Sequence, residues 1–128
     1  MKTFNRTRGR ELAAHLKKGQ QAEHRALRFL IDKGMNHIHS NYHCKCGEID
    51  LIMEDKEYIV FVEVRFRGSQ RYGGALASIG RQKVARLRKT AQHFLQRFDP
   101  AGRRPCRFDL LVPESIDEPQ WTWIRNAF

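Results

Sequence analysis

The chain has 128 residues, the size of a single domain that can bury one hydrophobic core. Its 41% hydrophobic residues exclude a wholly disordered chain, and its longest apolar run, Tyr58 to Val62, is far too short for a membrane helix of about 20 residues. Lysine and arginine number 24 against 14 aspartates and glutamates, and the resulting formal net charge of +10 indicates a polyanionic partner, with nucleic acid favoured.

Residues 1–17 are predicted to form a basic N-terminal arm, or simply a frayed terminus, and residues 18–128 to form one folded domain. Apolar residues at helical spacing predict a helix from Lys18 to Lys33, with Gly34 as its C-cap. A short strand is predicted from Asn36 to Tyr42.

The two clearest strands come next. Alternating residues predict a strand from Gly47 to Met53, and a nearly continuous apolar run predicts a central strand from Glu57 to Phe66. Glu54, Asp55 and Lys56 form the polar turn between them. The pair is therefore expected to be an antiparallel hairpin.

The second half of the chain completes the predicted sheet. A glycine-containing loop from Arg67 to Gly74 leads to an amphipathic helix from Ile79 to Phe98, and a strand follows from Arg107 to Val112. Trp121 to Ile124 is either a short final strand or a helical turn. The sequence thus predicts an α+β fold with a mixed sheet and the order αβββαβ.

Carboxylates in two adjacent predicted strands form the candidate catalytic site. Because strand side chains alternate, Glu48 and Asp50 are expected on one face, and Glu63 lies in the apolar central strand. A buried carboxylate needs a cation partner. That partner is either Arg65 or another nearby arginine, giving a structural ion pair, or a divalent metal shared with Asp50. Paired carboxylates beside an arginine-rich surface suit metal-assisted phosphodiester hydrolysis.

Two sequence blocks carry a family resemblance. Residues 47–52 (GEIDLI) and residues 60–65 (VFVEVR) resemble the signature of the bacterial YraN family of predicted endonucleases. That family is similar to the archaeal-type Holliday junction resolvases of the PD-(D/E)xK nuclease superfamily. The likeness covers residues 19–112 and includes Gln21-Ala22-Glu23, Asn41-Tyr42, Lys83 and Arg107-Phe108-Asp109.

The resemblance implies a restriction-endonuclease-like core and a metal-dependent DNA endonuclease acting on branched or structured DNA. Its catalytic residues would be Glu23, Asp50, Glu63 and Arg65. The ligands of Mg²⁺ or Mn²⁺ would be Asp50, Glu63 and the backbone carbonyl of Val64, with Glu23 and Glu48 as further candidates. Arg65 occupies the position where the motif has lysine, and arginine is effectively never deprotonated. A non-catalytic nucleic-acid-binding module that keeps this fold is therefore the alternative.

The basic residues after the hairpin are the predicted contacts to nucleic acid, namely Arg67, Arg71, Arg81, Lys83, Arg86 and Lys89. DNA is the expected partner and RNA a second candidate, and related resolvases imply a homodimer. A basic adaptor for a protein or membrane surface is a third interpretation, from another class. The chain is expected in the cytoplasm and off the membrane, because a basic N-terminus without a following apolar stretch is not a secretory signal.

Two further clusters have alternative interpretations. The side chains of His37, His39, His43, Cys44 and Cys46 suggest zinc, but the spacing is that of an ordinary polar strand, which is favoured. Trp121 and Trp123 either stack on bases or pack under the sheet, and packing is favoured.

Overall fold

The computed structural model describes residues 21–65, 79–114 and 120–128. A first helix, α1, covers residues 21–32, and a second, α2, covers Arg81–Phe98. The strands are β1 (Asn36–Cys44), β2 (Gly47–Asp55), β3 (Tyr58–Val64), β4 (Cys106–Pro113) and β5 (Trp121–Ile124). The predicted basic arm lies outside the described residues.

The five strands form one mixed sheet in the order β1-β2-β3-β4-β5. Strands β3 and β4 pair in parallel, and the other neighbours pair antiparallel. A parallel pair needs a crossover connection, and α2 lies between these two strands in the chain. The predicted α+β fold and its order of elements are confirmed, and the final segment is a strand rather than a helical turn.

The hydrophobic core lies on the two faces of this sheet. One face packs against α1 through Ala26, Leu30, Leu51, Met53, Val60, Val62 and Leu111. The other packs against α2 through Ile49, Ile52, Ile59, Phe61, Leu87, Ala91 and Phe94. Strand β3 contributes to both clusters, which explains its continuous apolar run.

Several predicted boundaries differ from the structure by one or two residues. Strand β1 continues to Cys44, and β2 continues to Asp55, so the turn before β3 consists of Lys56 and Glu57. Lys56 has a φ of 55°, in the left-handed region. Lysine rarely adopts this conformation, so its presence in the sequence does not predict a turn there. Helix α2 begins at Arg81 rather than Ile79, because Gly80 is its N-cap.

The predicted alternation of β2 is wrong at one point. Ile49 and Ile52 lie three residues apart, yet both belong to the cluster under α2. Leu51 and Met53 belong to the cluster under α1. A regular pleat would place Ile49 and Ile52 on opposite faces, so β2 departs from a regular pleat between these two residues.

None of the helices within the described ranges is both long enough and apolar enough to cross a membrane.

Candidate metal centre

Asp50 lies where β2 separates from β3. The antiparallel pairing of these strands reaches Leu51 and Val62 and is registered no further toward Asp50. Beyond this point the Asp50 side chain provides the contact between the two strands, because its Oδ2 accepts a hydrogen bond from the backbone N–H of Val64 at 2.9 Å. A carboxylate therefore occupies a position where a strand backbone would otherwise continue the ladder.

Three carboxylates converge at this opening. One oxygen each from Glu23, Glu48 and Asp50 lies within 4.8 Å of the other two. Glu23 comes from α1, whereas Glu48 and Asp50 come from β2. Glu48 is exposed and the other two are half-buried, so the cluster opens to solvent on one side. Among the predicted ligands, the structure brings these three together.

Glu63 has a different environment from these three acids. Its side chain is 8% exposed, and Oε1 lies 3.3 Å from Nζ of Lys83 on α2. The expected cation partner thus exists, and the lysine that supplies it comes from α2. Arg65 acts on Glu63 as well, since its charge lowers the pKa of that carboxyl.

Electrostatic crowding makes the cluster unusual. Burial and the neighbouring charges of Glu63, Glu23 and Glu48 raise the pKa of Asp50 to about 7, although the Val64 N–H opposes the shift. Burial also raises the pKa of Glu23 and that of Glu63, where Lys83 and Arg65 oppose it. A bound cation stabilises crowded, partly buried carboxylates such as these, because its charge offsets the repulsion between their ionised forms.

The donor set fits a hard divalent cation. Mg²⁺ and Mn²⁺ prefer oxygen ligands, and Mg²⁺ needs only one or two carboxylates because it retains several waters. Glu23, Glu48 and Asp50 supply such oxygens, and the exposed Glu48 keeps one side of the cluster in contact with solvent. At this site, Val64 donates its amide N–H to Asp50.

Replacement of Lys83 by Met tests the Glu63 ion pair. The variant keeps the length of the side chain but removes the ammonium group that pairs with the Glu63 carboxylate, so the pKa of Glu63 should rise further. At pH 7 we expect a loss of about 1 kcal/mol in the free energy of unfolding, small because the Lys83 side chain is 36% exposed. Urea unfolding followed by circular dichroism measures it. Lys89→Met, an exposed lysine on the same helix, is the control, and equal effects would contradict the pairing.

Three of the remaining predicted site residues lie on α2. Arg81, Arg86 and Lys89 are exposed along this helix, which contains no acidic residue. Arg67 and Arg71 lie outside the described residues. The exposed side of α2 is therefore a basic surface, and Lys83 on the same helix reaches Glu63.

Two histidines, one cysteine and both tryptophans of the two clusters with alternative interpretations have local partners. Nε2 of His37 lies 2.8 Å from the Ser40 hydroxyl, and Nε2 of His43 lies 3.7 Å from Oε1 of Glu48. The Cys44 sulfur accepts a hydrogen bond from the backbone N–H of Cys46. Trp121 and Trp123 pack against the α1 face of the core, each with its ring centre 6.0 Å from that of Phe29.

Comparison with known proteins identifies relatives over most of the chain. A family model described as uncharacterised protein family UPF0102 matches residues 22–112. A UPF0102 protein of Alcanivorax borkumensis is 49% identical over 112 residues, covering 86% of this chain and 90% of the relative. One of Nitrosococcus oceani is 47% identical and covers 91% and 94% of the two chains, and one of Alkalilimnicola ehrlichii is 46% identical and covers 98% and 97%. These names state no activity.

Proposed function

The chain belongs to the UPF0102 family, and we propose that it is a metal-dependent endonuclease that hydrolyses phosphodiester bonds in branched or structured DNA. This is the family named above as YraN. The observation that carries the proposal is the convergence of Glu23, Glu48 and Asp50 within 4.8 Å beside a basic helix. The proposal assigns the fold to the PD-(D/E)xK nuclease superfamily, with Asp50, Glu63 and Arg65 at the motif positions.

Each group at the site has a role in the proposed reaction. Glu23, Glu48 and Asp50 would hold Mg²⁺ or Mn²⁺, with Glu63 and the Val64 carbonyl as further ligands. The bound ion would lower the pKa of a water and offset the charge that builds up on the scissile phosphate. Asp50 is fixed for this task by the Val64 N–H, and its carboxylate faces the opening between β2 and β3.

The cations divide into two groups in this proposal. Arg65 and Lys83 flank Glu63, where they add positive charge beside the phosphate that is cleaved. The exposed residues Arg81, Arg86 and Lys89 contact phosphates farther along the duplex and position it without reading its sequence. We also propose a cytoplasmic location, since Cys44, Cys46 and Cys106 are free thiols, and a homodimer as the working assembly.

A non-catalytic module that binds DNA or RNA is the second candidate. Arg65 favours it, because a guanidinium at the motif position is bulkier than a lysine and does not act as a base. In this alternative the basic surface of α2 binds the backbone, and the acids serve only to place the strands.

Cleavage of a four-way junction separates the two candidates. The purified chain is mixed with a labelled junction or a linear duplex of the same sequence, in Mg²⁺, in Mn²⁺ or in EDTA. We expect cleavage of the junction with either metal, no cleavage in EDTA, and binding under all three conditions. Affinity in EDTA should fall linearly on a plot of log K against log salt, as phosphate neutralisation requires.

Other outcomes have distinct meanings. Metal-independent binding without cleavage in either metal would reject the enzyme and favour the binding module. Binding that does not weaken with added salt would contradict both and favour the adaptor interpretation. Cleavage of the linear duplex at the same rate as the junction would retain the nuclease and reject the preference for branched DNA.

A further inference from the structure

Trp121 and Trp123 form an aromatic surface at one end of the strand order. They come from β5, the last strand of the sheet, and both are half-buried, so each keeps some contact with solvent. Phe29 of α1 packs against them, and its ring centre lies 6.0 Å from that of each tryptophan. The core thus holds the two indoles without covering them completely.

Two cations lie on this aromatic surface. The guanidinium carbon of Arg125 is 4.0 Å from the ring centre of Trp123. The Nζ atom of Lys33 is 5.4 Å from the ring centre of Phe29. Both cationic residues are exposed. Aromatic rings with cations placed over them suit a ligand that has both a flat ring and a negative charge.

The ring of Trp123 is held in one orientation. Its indole N–H donates to Oδ2 of the buried Asp109 at 2.9 Å. Its plane meets that of Phe29 at 82°, an edge-to-face contact. Because these contacts order the ring in the free protein, a ligand that stacks here does not have to immobilise it.

The register of the sheet places this surface level with the acidic cluster. Trp123 pairs with Leu111, and Leu111 in turn pairs with Val64. Val64 is the residue whose N–H donates to Asp50. Since neighbouring strands lie about 4.8 Å apart, the backbone of Trp123 is roughly 10 Å from that of Val64. A nucleic-acid strand with one phosphate at the cluster therefore brings nearby nucleotides to the tryptophans.

We infer that Trp121, Trp123 and Arg125 form a stacking site for an unpaired nucleobase close to the phosphate that is cleaved. The inference rests on the proposed function and deepens it, because it specifies a substrate with an unpaired base at the branch. Every nucleobase has a flat face for the indoles, and its phosphate is a partner for the guanidinium. The net charge of +10 favours this ligand over an aromatic segment of another protein. Bases inside a paired duplex stack on one another and do not reach these rings.

Intrinsic fluorescence reports on this surface alone, because Trp121 and Trp123 are the two tryptophans of the chain. We expect a thymidine oligonucleotide, which does not pair with itself, to quench the fluorescence in EDTA. A closed hairpin duplex with the same number of nucleotides should quench it much less. Equal quenching by the two, or none by the oligonucleotide, would overturn the inference. A fluorescence change on raising the protein concentration without DNA would mean that a second copy covers the rings, and would overturn it too.

Replacement of Trp121 by Leu removes one stacking ring and leaves the contact between Trp123 and Asp109 in place. We expect the affinity for a dye-labelled thymidine oligonucleotide, measured by anisotropy in EDTA, to fall about tenfold. The matched control is Tyr58→Leu, because Tyr58 is an exposed aromatic residue with Arg107 over its ring at the opposite end of β3. The control should bind as the unmodified chain does, and equal losses in the two variants would contradict the assignment.

A charge variant keeps the test decisive if Trp121→Leu does not fold. Arg125 is exposed, so Arg125→Gln should leave the thermal midpoint unchanged. We expect weaker binding of the oligonucleotide and a slope of log K against log salt that is smaller by about 0.7, the value for one phosphate of a single strand. Arg103→Gln, at an exposed arginine before β4, is the control and should keep the slope. An unchanged slope for Arg125→Gln would remove Arg125 from the site.

The stacking site and the proposed nuclease can fail separately. Quenching by the oligonucleotide without junction cleavage in Mg²⁺ or Mn²⁺ would reject the nuclease and retain the stacking site. Junction cleavage by a chain whose fluorescence is not quenched, and whose Trp121→Leu variant cleaves at the original rate, would retain the nuclease and overturn the stacking site.

Discussion

Replacement of Asp50 by Asn is expected to reduce junction cleavage by about 10³-fold or more while making the metal-free protein more stable at pH 7.5. Activity falls because a neutral amide is a poor ligand for a hard cation. Stability rises because burial and three neighbouring carboxylates make the ionised Asp50 costly, as its pKa of about 7 indicates. The asparagine Oδ1 can still accept the Val64 N–H, so that contact is kept.

The sign of the pH dependence follows from the raised pKa. The ordinary value for Asp50 is 3.8, so between about pH 4 and pH 7 the folded protein binds a proton that the unfolded chain has lost. The free energy of unfolding of the metal-free protein should therefore decrease as the pH rises through this window, by on the order of 2–4 kcal/mol. The variant lacks this contribution, and its remaining slope comes from groups such as Glu23 and Glu63.

Urea unfolding in EDTA at pH 5 and pH 7.5, followed by circular dichroism, measures both effects. Asp32→Asn, an exposed aspartate at the end of α1, is the control and should keep the pH dependence of the unmodified chain. An Asp50→Asn variant that is less stable at pH 7.5 would show that the carboxylate supports the fold. Unchanged cleavage by the variant would remove Asp50 from the proposed reaction.

Hydrophobic patterning predicted most of the sheet and the helices, because burial on one or both faces of an element dictates where apolar residues occur. It identified β3, where Ile59, Val60, Phe61 and Val62 are all buried. It also identified the stripe of α2, where Leu87, Ala91 and Phe94 are buried. The one-residue error before β3 arose because the turn uses Lys56 in a left-handed conformation in place of the usual glycine or asparagine.

The same patterning could not predict the details of the site. It assumes a regular pleat, and the structure departs from one at Asn41, whose φ is 54°, and in β2 between Ile49 and Ile52. The alternation did predict that Glu48 and Asp50 share a face, and the structure places both carboxylates in one cluster. The pairing of Glu63 with Lys83 depends on how α2 lies across the sheet. The spacing of residues along the chain does not predict the distance between a helix residue and a strand residue. Lys83 is one of several cations on α2, so its residue type does not indicate that it, rather than a neighbouring cation, pairs with Glu63.

Asp109 shows how a buried carboxylate can be distinguished from a metal ligand. Its side chain is fully buried, and both of its oxygens lie near Nε of Arg107, at 3.1 and 3.2 Å. Oδ2 also accepts the indole N–H of Trp123, and Oδ1 accepts the backbone N–H of Asn126. These contacts use most of the hydrogen-bonding capacity of the Asp109 carboxylate. The Asp50 carboxylate, by contrast, accepts the Val64 N–H through Oδ2 and lies beside two other acids.

Asp109→Ala is therefore expected to destabilise the fold without acting on the chemistry. The change leaves the Arg107 guanidinium, which is 13% exposed, without this carboxylate, and it leaves two N–H donors unsatisfied. We expect the free energy of unfolding to fall by about 3–5 kcal/mol and the thermal midpoint by roughly 10–20 °C. Thermal unfolding followed by circular dichroism measures it, with Glu57→Ala in an exposed turn as the control.

A milder variant keeps the test decisive if Asp109→Ala does not fold. Trp123→Phe removes one donor to Asp109 and keeps an aromatic ring next to Phe29, so the expected loss is about 1–2 kcal/mol. Its affinity for Mn²⁺ should equal that of the unmodified chain, since the indole N–H of Trp123 donates to Asp109 and not to an acid of the cluster. A loss below about 1 kcal/mol for Asp109→Ala would mean that the network is dispensable. Loss of Mn²⁺ binding in the folded Trp123→Phe variant would mean that Asp109 and the acidic cluster are coupled, and would contradict a purely structural role for Asp109.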